Sequence, residues 1–169
     1  MLSGGGSPEN PSFTTPPVEG SEQIDHFLES LPLETTDLET VGPRLVRLCH
    51  ALDHLSELHD DLTRIPPVVI GGQPPAGFQT GAQALGSWLD ATKQPDAAPE
   101  PTIFKALEAA SKQLNEERNT GREKILEDIA LQRTPMATAR AALDTLVWAD
   151  LALYHSWRLA ESLRIATSE

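Results

Sequence analysis

Cysteine is almost missing from these 169 residues: Cys49 is the one thiol. A single thiol excludes an internal disulfide framework and fits a reducing compartment. Long apolar runs are missing too. No stretch reaches the roughly 18–20 apolar residues that a membrane-spanning helix needs. The opening MLSGGGSPENPSF has no basic region followed by an apolar run, the pattern of a secretory signal. Positive charge is scarce, with 13 Lys and Arg against 25 Asp and Glu and a formal net charge of −12. So acidic a surface repels phosphate backbones and anionic leaflets, which argues against nucleic acid and charge-driven membrane docking. The expectation is a soluble, cytoplasmic protein with no direct membrane insertion.

The apparatus of several enzyme classes is equally missing. Gly71-Gly72 lacks the Lys-Ser/Thr ending that completes a Walker phosphate cradle, and no HExxH occurs. Ser56 and Ser156 have histidines nearby in sequence, but nothing supplies a third orienting group or an oxyanion hole. No catalytic constellation is visible. No strand finds a second strand to pair with. Val68, Val69 and Ile70 are β-branched, yet Pro66, Pro67, Gly71, Gly72, Pro74 and Pro75 enclose them, and the segment reads as a loop.

What is present is helical periodicity. Residues 1–20 carry glycines and prolines with almost no aliphatic side chains, too little apolar surface to offset ordering, and read as a disordered tail. Residues 21–166 read as one helical domain. Ser21 caps a short helix, SEQIDHFLES, which Leu31-Pro32 ends. Thr36 and Asp37 are candidate caps for the next helix, with Gly42-Pro43 in its first turn. Its strong periodicity runs from Leu45 to Leu62: Leu45, Leu48, Leu52, Leu55, Leu58 and Leu62 recur at three and four, with Cys49 on the apolar flank. A third helix spans Phe78 to Thr92, with Ala82, Leu85 and Leu89 on one face and Trp88 beside it. A long helix from Thr102 to about Gln132 uses Ile103, Leu107, Ala110, Leu114, Ile125 and Ile129, and Gly121 predicts a bend or break in it. Thr134 as cap and Pro135 at the first helical position start the last helix, which reaches about Ala166. Leu143, Leu146, Leu153, Trp157 and Ala160 share one face of it, while Trp148, Leu151 and Leu159 lie well round. A helix apolar on most of its circumference is buried by several neighbours and should be central. The expected fold is an all-α bundle of four main helices plus a short N-terminal one.

Two groups of polar residues invite chemistry. His50, His54, Glu57 and Asp61 form a stripe at spacings of four, three and four, and HxxxH on a helix lets two imidazoles converge on one divalent metal ion. The same stripe also suits a wet face or a partner surface. Asp150 lies among Leu146, Leu153 and Trp157, where an unpaired carboxylate would cost several kcal/mol. It therefore needs an interhelical partner, either a cation, a helix terminus, or a site facing His50 or His54 across the bundle. His155 and Arg158 lie close to it in sequence, and Arg158 suits an acidic neighbour or a phosphate.

Two segments are alike: ALDHLSELHDDL from Ala51 and ALDTLVWADLAL from Ala142 share Ala-Leu-Asp-x-Leu and a later acid, Asp60 and Asp150 respectively. Together with LVWADLALYHSWRLAESL they resemble the helix signatures of the PhoU-like fold. More closely, the stretch from about Glu22 to Ile165 resembles the C-terminal cytoplasmic region of bacterial sodium/phosphate cotransporters. The family's Glu/Asp-x-x-x-Asp spacing is matched by Glu57 to Asp61 and approached by Asp53 to Glu57, while Ser56 stands where a Glu is expected ahead of Asp60. The resemblance implies a PhoU-like helical bundle and a non-enzymatic regulatory module linked to phosphate uptake. Its implied partner is a membrane transporter or signalling protein at the inner membrane face, with a metal ion as optional stabiliser. A metal-dependent helical-bundle enzyme using the His/Glu/Asp stripe is the alternative, and self-association of the bundle is a further expectation.

Overall fold

The computed structural model describes residue 26, residues 35–66, 74–93 and 100–168. The chain divides into two units, Met1–Leu31 and Pro32–Glu169. In the first, His26 is helical and exposed; the expected tail and the remainder of the expected short helix lie outside the described residues, as does the Val68–Ile70 segment. The second unit holds α1 (Thr35–Thr63), α2 (Ala76–Thr92), α3 (Pro101–Ala130) and α4 (Met136–Ser168). No strand occurs among the described residues, so the fold is an all-α bundle.

Helix α4 is its axis: it packs on α1, α2 and α3, whereas α1 packs on no described helix but α4. The continuous core comes from three helices, with Trp88 of α2, Phe104, Leu107, Ala110 and Leu114 of α3, and Trp148, Ala149, Ala152, Leu153 and Ala160 of α4. Among the described residues helix α1 adds only Leu58 at its edge. Ala51 is the one fully buried hydrophobic of α1 among the described residues, while Leu45, Leu48, Leu52 and Leu55 stay half-buried and Leu62 is exposed. The leucine stripe is thus not a core face. The helix turns its Ala51, His54, Leu58 and Asp61 side to α4, and on a 3.6-residue period those positions lie within one sector, with the leucines to one flank. Cys49 is exposed rather than on a covered flank.

Glycine decides how α2 packs. The aliphatic face expected of it is not the buried one: Ala82 and Leu89 are exposed, and Gly77, Gly81 and Trp88 are buried. A Cβ on Gly77 would lie 3.1 Å from the backbone nitrogen of Leu114, and one on Gly81 would lie 2.3 Å from Leu153 Cδ1. Absent side chains bring this helix against α3 and α4, and Trp88 is buried two turns beyond Gly81. The N–H of Gly77, one of the unpaired donors of the first turn, donates to Glu117 Oε2 at 3.2 Å. Gln113 Nε2 donates to the other oxygen of that carboxylate at 2.7 Å.

Two further boundaries depart from expectation. Helix α1 begins ten residues before Leu45, at Thr35, and continues through Pro43, which is therefore interior. A Cβ on Gly42 would meet nothing within 4 Å, so this turn stands clear of other groups. Helix α3 passes through Gly121 unbroken. There a Cβ would stand 2.9 Å from Leu146 Cδ1, so the glycine serves close packing against α4. Helix α3 stops at Ala130 through a Schellman arrangement: Arg133 N–H donates to Asp128 O at 2.8 Å and Gln132 N–H to Ile129 O at 3.0 Å. Gln132 takes the left-handed position, with φ of 55°. Pro135 then precedes α4, and its carbonyl accepts the Ala139 N–H at 3.0 Å.

Candidate functional site

The chemistry-bearing residues collect along the seam between α1 and α4. Trp148 Nε1–H donates to Asp61 O at 2.7 Å, and His54 Nδ1 lies 3.1 Å from His155 Nδ1. From Asp61 to His54 is seven residues back along α1, and from Trp148 to His155 is seven residues forward along α4. The two helices are therefore antiparallel, in a register repeating every two turns. Of the two facing imidazole nitrogens, one must carry the proton that the other accepts. The rings are tilted by 45° with centroids 5.4 Å apart, and Tyr154 meets His54 edge-on at 6.0 Å.

Charge along the seam is unevenly satisfied. Burial holds the His54 imidazolium below its ordinary value, and the neighbouring His155, Arg158 and His50 push the same way against Asp53. Burial raises the Asp61 carboxyl above its ordinary value, Glu57 and Asp60 adding to the rise and His155 and Arg64 opposing it. Asp61 Oδ2 and Arg158 Nε are buried without a hydrogen-bond partner among the described residues. The Arg158 guanidinium stacks on Trp157, 5.5 Å from the ring centroid. A turn further along α4, Glu161 is held low by a two-pronged pairing with Arg164 at 2.7 and 2.9 Å.

The four-residue stripe does not close on one point. His50 and Glu57 are exposed and His54 and Asp61 half-buried toward α4. Among the described residues no group of three or more His, Cys, Asp or Glu is arranged to hold a metal ion. The separation has a simple cause, because His54 and Asp61 are two turns apart, roughly 10 Å along the axis. What meets His54 is His155, which came from the other end of the sequence.

Asp150 has its interhelical partner on a different helix from the histidines. Its side chain is 9% exposed and pairs with Arg118 of α3, itself 33% exposed. Of the alternatives for this buried carboxylate, the ion pair is realised and the approach to His50 or His54 is not. Beside this pair a cleft of about 370 Å³ opens between α3 and α4, lined by Ser111, Asn115 and Glu116 on one side and Asp150, Tyr154 and Trp157 on the other. Arg118 carried no signal in sequence, since it stands in the charged run NEERNTGREK that reads as a solvated face.

No family model matches the chain, and neither curated proteins nor solved structures provide a match to it. No described helix is long and apolar enough to cross a membrane.

Proposed function

We propose that this chain is a non-enzymatic helical docking module that acts by protein–protein contact, with a component of phosphate uptake or its signalling as the partner. The observation that carries the docking reading is the packing of α1. Helix α1 has α4 as its sole neighbour among the described helices, and keeps Val41 36% and Leu62 48% exposed on the side of its half-buried leucines. An amphipathic helix with apolar positions beyond its own core contact fits a partner's groove. The phosphate setting comes from the resemblance of the α1 and α4 sequences to the PhoU-like region of sodium/phosphate cotransporters.

The test is co-purification from cells grown with and without phosphate. The wild-type chain should recover a membrane transport or signalling component, and Val41→Glu with Leu62→Glu should lose it while retaining the helical spectrum. Recovery of no such component under either condition overturns the reading. Recovery of a second copy alone, seen as a dimer by light scattering, also overturns it in favour of self-association.

A further inference from the structure

We propose that His54 and His155 together form an interhelical two-histidine site for a borderline divalent transition ion such as Zn²⁺, Cu²⁺ or Ni²⁺, which clamps α1 to α4. The proposal is independent of the docking partner. It rests on the geometry of two imidazoles presented nose to nose by different helices, with Nδ1 atoms 3.1 Å apart. Metal–imidazole bonds of about 2.0–2.1 Å place two ligands roughly 2.9 Å apart at a right angle and roughly 3.3 Å apart at the tetrahedral angle. The observed separation falls between these values. The rings face each other along the line joining these nitrogens, with centroids 5.4 Å apart, so an ion replaces the shared proton when each ring swings by roughly 40° to aim its lone pair at the metal, with no change of helix register.

Charged groups act on the site in both directions. Asp53 and Asp61 act electrostatically on His54 and His155 respectively. The buried Oδ2 of Asp61 has no hydrogen-bond partner among the described residues to offset its charge. Arg158 and His50 oppose, yet the chain as a whole carries −12. With two protein ligands and the remaining positions left to water, the site is open and exchangeable, unlike a closed four-ligand structural centre. Its consequence is mechanical: because α1 is held among the described helices by α4 alone, a bond between the two reinforces the one interface that holds it.

The experiment titrates ZnCl2, CuCl2 and NiCl2 separately into the untagged, metal-free full chain, with calorimetry and thermal unfolding as readouts. One equivalent should bind, with a rise in Tm, while MgCl2 does neither. His54→Ala and His155→Ala should each weaken binding at least tenfold and abolish the Tm rise, and His50→Ala should leave both within twofold. Circular dichroism confirms that the variants fold; His54→Gln and His155→Gln replace any that does not. Absence of binding to the wild-type chain overturns the proposal. So does binding that survives loss of His155 but fails with loss of His50, which would identify a local HxxxH chelate on α1.

Discussion

Three glycines of α2 offer a test of how this bundle is packed, because alanine at each meets a different environment. At Gly86 a Cβ meets nothing within 4 Å. Gly86→Ala therefore shows the helix-propensity gain alone, a stabilisation of about 0.5–1 kcal/mol. At Gly81 the new Cβ would stand 2.3 Å and 2.6 Å from the two methyls of Leu153, a residue with 2% exposure and no room to swing outward. Overpacking of this kind costs typically ~1–3 kcal/mol, which outweighs the propensity gain and leaves a net loss of about 1–2 kcal/mol. At Gly77 the obstacle is the Leu114 backbone at 3.1–3.2 Å, which yields only if α2 and α3 move apart.

Chemical denaturation of the three single variants gives the order Gly86→Ala above wild type, with Gly81→Ala and Gly77→Ala below it. In a chain this long, the gap between the first two should appear as roughly 5–10 °C in Tm. The double variant Gly81→Ala/Leu153→Ala should be more stable than the sum of its singles by about 1 kcal/mol or more, because the alanine methyl occupies part of the cavity. Equal stabilisation by Gly86→Ala and Gly81→Ala would refute the close approach of α2 to α4.

Three other outcomes follow from single sites. Gln132→Gly relieves a non-glycine residue at φ of 55° and should stabilise by about 0.5–1 kcal/mol, measured as a shift in urea midpoint at unchanged m. Asp150→Asn leaves Arg118 without its carboxylate and should cost about 2–3 kcal/mol, reduced from a fully buried pair by the exposure of the arginine; Asp150→Leu combined with Arg118→Leu should recover part of that loss. Because the His54 value is lowered from 6.5 in the folded state, the unfolded chain binds more protons just below that pH, so stability should fall as pH drops through 6.5 toward the folded value. Asp61 acts in the opposite sense, since its raised value makes the folded chain bind more protons above 3.8. His54→Leu should flatten the first slope and Asp61→Asn should steepen the acid-side loss, both read from urea midpoints against pH.

The sequence by itself determined the all-α fold, the end of α1 short of Pro66, the centrality of α4 and the requirement that Asp150 be paired. Each follows from local rules: periodicity, the missing N–H of proline, and the cost of an unpaired buried charge. Tertiary structure alone decided the rest. The leucine stripe of α1 was a strong periodic signal, yet of its leucines only Leu58 packs against the core cluster, because a hydrophobic period specifies a face without specifying what covers it. The buried side of α2 was illegible because its key residues are glycines, whose contribution is the volume they lack and the approach it permits. Gly121 misled in the same way, as the weak helix former proved to be a packing contact. The polar stripe of α1 gave His54 and Asp61 but not their separate partners. His155 and Trp148 lie 101 and 87 residues onward, and only the antiparallel register of α1 on α4 sets those pairs side by side.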